Sequence, residues 1–209
     1  MVSRAALNHF LAAMSGYFLK GPAPLLLAIT TLSFDIAALE LYLPLWQQGA
    51  VFLSDQSEYA DPARLIHLLE TYPITLLQAT PSMWGLLKNH HWKGKPGLVA
   101  LCGGEPLPDS LAAYLLPRVD ALWNMYGPTE ATIWCALKQI QPNAPITIGR
   151  PLNGVTLYVM DASLTPLPPY VKGELYIGGA GLAKGYLNRE ALTQVQFISG
   201  AHLLEKRLY

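Results

Sequence analysis

The feature that most limits what this chain can fold into is an alternation. Up to about residue 124, short apolar runs suited to buried strands take turns with segments of helical period. Residues 3–19 place Leu7, Phe10, Leu11, Met14 and Phe18 on one helical face. Leu25–Ile29 is a continuous apolar run after Gly21-Pro22, the mark of a buried strand. Phe34–Gln48 reads as a helix stopped at Gly49, with a kink expected at Pro44, which lacks a ladder donor. Ala50–Leu53 is strand-like, and Asp61-Pro62 opens a helix to about Tyr72, with Asp as N-cap and Pro at the first helical position. Thr75–Gln78 (strand), Pro81–Asn89 (helix), Leu98–Cys102 (strand), Leu111–Leu116 (helix) and Ala121–Asn124 (strand) continue the series. Strands alternating with helices predict parallel βαβ units under helical cover.

The texture changes near residue 140. Pro142, Pro145, Pro151, Pro166, Pro168 and Pro169 punctuate short runs such as Val155–Met160 and Glu174–Ile177, with one helix expected near Glu190–Phe197. The expected fold is therefore α/β. Parallel-sheet αβ layers occupy residues 1–141, and a β-rich, barrel-like subdomain, incomplete, occupies 142–209. The boundary falls at about Gln141–Ile146.

Composition narrows the function classes. The 209 residues hold 14 Lys+Arg and 14 Asp+Glu, so no basic excess points to nucleic acid or an anionic membrane. A charged ligand must then be held by local groups. Cys102 and Cys135 form no CxxC pattern, and the five histidines no metal-binding motif, so buried thiols in a reducing compartment are expected. The N-terminus lacks a signal-peptide pattern, and no apolar run reaches spanning length. A soluble, cytoplasmic protein is the expectation.

Chemistry concentrates in Asn124-Met125-Tyr126-Gly127-Pro128-Thr129-Glu130. Gly-Pro forces a tight turn after a strand, where open α/β sheets bind ligands. An amide, a phenol, a hydroxyl and a carboxylate gathered there suit a base, a phosphate and a metal; a capped polar loop is the plainer alternative. A glycine cluster, Gly173-Glu174-Leu175-Tyr176-Ile177-Gly178-Gly179 with Gly181-Leu182-Ala183-Lys184-Gly185-Tyr186-Leu187, opens no helix and is no P-loop. β-Turns requiring positive φ are its favoured reading. Gly103-Gly104-Glu105 follows a strand and allows a flat ligand near the backbone, though a simple tight turn is equally compatible with it. Asp35, in Ser33-Phe34-Asp35-Ile36-Ala37-Ala38-Leu39-Glu40, is either a helix N-cap or first-turn dipole partner, or a ligand group. Asp35, Ile36 and Leu39 share one helical face.

These stretches resemble, in order, the motifs of adenylate-forming enzymes, in the form typical of nonribosomal peptide synthetase adenylation domains. The resemblance implies that Tyr126 stacks on adenine, Asn124 bonds its edge, and Gly103, Gly104, Glu105 and Gly127 lie beside it. It makes Thr129 an α-phosphate contact and Glu130 a ligand of Mg²⁺, a hard cation that prefers carboxylate oxygen. It pairs Asp35 with the substrate α-ammonium, and lines the side-chain pocket with Ile36, Leu39, Gln78, Leu101, Gly103, Met125, Ile133 and Trp134. Those bulky, uncharged groups suit glycine, chosen by steric exclusion, with alanine or serine next. Gln78 either bonds a serine hydroxyl or fills space.

The implied reaction joins the amino acid to ATP as an aminoacyl-adenylate. Transfer to the phosphopantetheine thiol of a peptidyl carrier domain follows, with condensation domains as further partners. The phosphate loop and lysine that resemblance places before Met1, the Thr-Gly-Asp after Tyr209 and the C-terminal lid lie outside the sequence. Little adenylation by the isolated chain is therefore expected. The rivals are an acyl-CoA or aryl-acid ligase, which has no use for the Asp35 charge, and a non-catalytic binding or assembly module of the same fold.

Overall fold

The computed structural model describes residues 1–18, 23–200 and 203–209. Its elements, in chain order, are α1 (Arg4–Ser15), β1 (Leu25–Ala28), α2 (Ala37–Trp46), β2 (Ala50–Leu53), α3 (Gln56–Tyr59), α4 (Pro62–Thr71), β3 (Leu76–Ala79), α5 (Pro81–Asn89), β4 (Val99–Gly103), α6 (Asp109–Leu115), β5 (Ala121–Tyr126), β6 (Ala136–Gln139), β7 (Arg150–Pro151), β8 (Val155–Met160), β9 (Glu174–Gly179), α7 (Glu190–Gln196), β10 (Ile198–Ser199) and β11 (Arg207–Leu208). They fall into two compact units, one of Met14–Tyr126 and Ala136–Arg150, the other of Met1–Ala13, Gly127–Cys135 and Pro151–Tyr209.

The first unit is built on a sheet of order β2-β1-β3-β4-β5-β6-β7. Neighbours from β2 through β5 are parallel, and β6 returns antiparallel to β5. Strands of four to six residues with nearly every side chain apolar suit such a sheet, which is covered on both faces. Leu27, Leu77, Ala100 and Leu122 occupy one face and share a core with Leu65 and Leu69 of α4, Trp84 of α5 and Leu115 of α6. Asp61 caps α4 by accepting from the Ala63 amide, and Thr80 caps α5 by accepting from the Met83 amide.

The second unit carries a four-stranded antiparallel sheet of order β10-β11-β9-β8. β8 and β9 pair in register from Val155↔Gly179 to Met160↔Glu174. The expected barrel-like subdomain takes this form, with β10 and β8 at the edges.

Several expected bounds shift. The first helix ends at Ser15, and its expected last residue, Leu19, lies outside the described residues, as does Gly21-Pro22. The helix expected from Phe34 starts at Ala37, because the Ala37, Ala38 and Leu39 amides close three-residue turns onto the carbonyls of Phe34, Asp35 and Ile36. Its N-cap is Ile36, without a side-chain cap, so the N-cap role considered for Asp35 is excluded. β5 runs two residues beyond Asn124, because β6 pairs with it to Tyr126. The short strands β6, β7, β10 and β11 had no pattern of their own to announce them, whereas α3 follows a capping box, Asp55-Gln56-Ser57-Glu58, that went unrecognised in the sequence.

Candidate functional site

Within the first unit, the turn before α2 presents Asp35. Asp35 is half-buried, and its carboxylate has no hydrogen-bond or ion-pair partner among the described residues. Ile36 and Leu39 beside it are buried. A half-buried carboxylate without a protein donor is suited to an external cation, since a partly desolvated charge gains most from a partner.

The sheet then sorts the other candidates by strand alternation. Register pairs Gln78 with Leu101, Leu101 with Trp123, and Gly103 with Met125. Gln78, Leu101, Gly103 and Met125 therefore share one face at the carboxyl ends of β3, β4 and β5. All four are buried. Asn124 and Tyr126 point to the other face. Met125, expected at the amino-acid side chain, and Asn124 and Tyr126, expected at adenine, are thus separated by the pleat though adjacent in sequence, while Gly103, expected at both, lies on the Met125 face. Asn124 is 8% exposed and donates through Nδ2 to the Thr147 carbonyl at 2.9 Å. Tyr126 is half-buried.

Gly103-Gly104-Glu105 turns away at the end of β4. Gly104 takes φ +86°, a conformation only glycine adopts readily. Glu105 accepts from the Ser82 hydroxyl at 2.6 Å and, more weakly, from its amide at 3.3 Å, which ties the turn to the first turn of α5.

Within the second unit, Gly127 begins the segment that ends at Cys135. A Cβ on Gly127 would lie 2.4 Å from the Ile133 carbonyl oxygen and 2.6 Å from the Trp134 Cα, so only glycine lets this segment fold back on itself. Thr129 is exposed and Glu130 half-buried, in a single 3₁₀ turn, Thr129–Ala131. Thr132 and Ile133 then take φ +61° and +70°. Both are β-branched, for which the left-handed region is strained, so the surrounding structure must hold them there. Thr132 is 1% exposed, and its hydroxyl donates to the Gly181 carbonyl at 2.6 Å. Ile133 and Trp134 are buried.

The glycine-rich stretch is what does the holding. The Ala183 amide donates to the Glu130 carbonyl at 2.7 Å, and a Cβ on Gly181 would sit 3.1 Å from the Ala131 carbonyl oxygen. The Tyr186 hydroxyl donates to a carboxylate oxygen of Glu130. Burial first, then the bonds with Glu130 and Tyr209, push the Tyr186 phenol above its usual range and keep it a donor. Positive φ does occur in this stretch, at Gly179 and Gly185, whereas Gly181 serves close approach. Glu130 can offer its second carboxylate oxygen to a hard cation. A single carboxylate fits Mg²⁺, which usually keeps several waters and takes its other ligands from phosphate.

Two participants went unrecognised in the sequence. Tyr186 and Glu40 both stand inside stretches that resemble family motifs, without a role of their own. Glu40 is fully buried, and the one available signal was an acidic residue amid nine apolar neighbours in Ala37–Trp46. Cys102 and Cys135 are buried free thiols, both pushed up to about 12 by burial. No described helix is long and apolar enough to cross a membrane.

The family model of the AMP-binding enzymes matches residues 1–187. A dimodular nonribosomal peptide synthase of Bacillus subtilis is 40% identical over 206 residues, 95% of this chain and 8% of that protein. Tyrocidine synthase 3 of Brevibacillus parabrevis is 37% identical over 95% of this chain and 3% of its own length. The crystal structure of a four-domain nonribosomal peptide synthetase bound to AMP and glycine superimposes with a TM-score of 0.94 at 42% identity, over 98% of this chain and 16% of that one. The chain thus spans a small part of each relative. It belongs to the AMP-binding enzyme family, as a portion of an adenylation domain of the nonribosomal peptide synthetase kind.

Proposed function

We propose that this chain is the selecting centre of a glycine-activating adenylation domain. The parent domain joins glycine to ATP as glycyl-adenylate, releases pyrophosphate, and passes the glycyl group to the phosphopantetheine thiol of a carrier domain. The observation that carries this reading is the half-buried, unpartnered carboxylate of Asp35 beside a set of buried, uncharged side chains. A carboxylate there demands an α-ammonium. Ile36, Leu39, Leu101 and Met125 are already buried around that end of the sheet, and Ile133 and Trp134 carry the same role from the resemblance. Crowding of this kind excludes side chains larger than hydrogen, because inserting methylenes into a packed site costs about 1–3 kcal/mol. The glycine in the similar synthetase structure supports the same choice.

Tyr126 stacks on adenine, Asn124 meets its edge through the part of its amide not bonded to Thr147, and the Gly103–Glu105 turn and Gly127 flank the base. Thr129, exposed, reaches the α-phosphate. Glu130, held through one oxygen by Tyr186, holds Mg²⁺ with the other. When bound, Mg²⁺ neutralises phosphate charge as the carboxylate of glycine attacks the α-phosphorus. These residues supply positioning and charge complementarity.

The test is amino-acid-dependent exchange of pyrophosphate into ATP by the intact parent domain, profiled across the amino acids. Glycine should give the highest kcat/KM, with alanine and serine next. Preference for a bulky aromatic amino acid overturns the glycine reading, and activation of carboxylic acids without an amino group overturns the role of Asp35. Glycine and ATP binding by calorimetry separates the enzyme from an assembly module, which need bind neither.

A further inference from the structure

We propose that Glu40 and Gln78 are positioning residues for the amino-acid site. As a buried pair closed onto Thr30 and Ile36, they fix the turn that carries Asp35. The inference rests on the reading that Asp35 receives the substrate α-ammonium.

Glu40 lies in the first turn of α2 and is 0% exposed. Its carboxylate accepts four hydrogen bonds. One oxygen takes the amides of Ile29 and Thr30, both at 3.0 Å. The other takes the Thr30 hydroxyl at 2.6 Å and Gln78 Nε2 at 2.9 Å. All four partners are donors, an arrangement that serves the ionised group, although burial raises its carboxyl above the usual range. Burying a carboxylate is costly, and the four donors offset that cost only while their geometry around Glu40 is kept.

That geometry extends to the turn. Gln78 Nε2 also donates to the Ile36 carbonyl at 3.0 Å, so the two amide protons of Gln78 are divided between Glu40 and Ile36. Ile36 is both the residue after Asp35 and the N-cap of α2. The residues following β1, the centre of β3 and the start of α2 therefore converge on one carboxylate. β1 and β3 are neighbours in the sheet, so the anchor is rigid. Asp35 cannot shift without stretching the Gln78–Ile36 bond. Gln78 has both N–H groups committed to protein acceptors, so it contributes to selection through the position of Asp35, and its amide is not the donor for a serine hydroxyl.

The experiment uses the parent adenylation domain, with Gln78→Met to remove both donors at similar volume and Thr30→Val as a milder lesion. The wild type is profiled first, and the amino acid it activates best is the substrate. Pyrophosphate exchange should show KM for the amino acid raised about tenfold in Gln78→Met and a few-fold in Thr30→Val, from loss of bonds to a charged group. KM for ATP should stay within about twofold, because Asn124 and Tyr126, proposed to meet the adenine, lie on the side of the pleat opposite Gln78. A fall in kcat with both KM values unchanged means lost active protein and overturns the proposal, as does unchanged KM for the amino acid in both variants. A wild type that prefers an amino acid other than glycine refutes the glycine reading alone, and the positioning test proceeds on that amino acid. A wild type that activates only acids without an amino group removes both.

Discussion

The two units hold their functional side chains by different means. In the first, position comes from side chains. Glu40 gathers donors from Ile29, Thr30 and Gln78, and Gln78 reaches on to Ile36. In the second, position comes mainly from backbone conformation. Thr132 and Ile133 are held in the left-handed region, Gly127 lets Ile133 and Trp134 pass within contact distance, and Ala183 and Gly181 brace the segment from the glycine-rich stretch. A buried polar network ties a charge to a rigid sheet and tolerates little chemical change. A strained loop gives exact aim to residues that must meet different ligand groups, at the expense of stability elsewhere. The difference suits the proposed roles, in which a fixed carboxylate meets an ammonium and a turn meets phosphate and metal.

Substitutions can break this contrast, and the largest effect is expected in the first unit. Asp35→Ala in the parent domain should lower kcat/KM for the amino acid roughly a hundredfold in pyrophosphate exchange, since it removes one partner of a desolvated charge pair. Thermal stability should change little, because no described residue bonds to that carboxylate. In the second unit the order of effects reverses, with stability affected first. Gly127→Ala forces a Cβ to 2.4 Å from the Ile133 oxygen. It should cost about 1–3 kcal/mol in chemical denaturation, through overpacking. Thr132→Val keeps the branched shape but leaves the Gly181 carbonyl unpaired, and a loss of about 1 kcal/mol is expected in the same assay.

The smallest expected effect is a shared one. Cys102 and Cys135 sit in different units, yet burial pushes both thiols up to about 12 from an ordinary 9.0. The folded state therefore holds these protons more tightly than the unfolded chain. Their contribution to stability is fully present below pH 9 and is lost as pH rises from there towards 12. Both thiols should resist a disulfide reagent at pH 8 in the native parent domain and react on unfolding. Rapid native labelling of one alone would show that its unit opens locally.

Much of the fold was legible because its signals are local. Pro81–Asn89 and the Asp61 cap were readable to the residue, since a helix start depends on a few adjacent groups. The motif around Asn124–Glu130 was legible for the same reason. Where the reading went astray, distant partners decided. The helix expected from Phe34 starts at Ala37, because turns close onto Phe34, Asp35 and Ile36, and this removes the N-cap alternative for Asp35. β5 was extended by pairing with β6, whose own four residues, Ala-Leu-Lys-Gln, carry no strand period.

The sequence by itself determined the alternation, the order of the motifs and the kinds of group available, because periodicity and turn chemistry are properties of neighbouring residues. Only the tertiary structure decided that Gln78, Leu101, Gly103 and Met125 share one face while Asn124 and Tyr126 take the other, because that depends on the register between strands. It also decided that Glu40 is buried under four donors, since the three residues supplying them, Ile29, Thr30 and Gln78, lie 10 to 38 positions away along the chain and meet it only when the sheet and α2 pack.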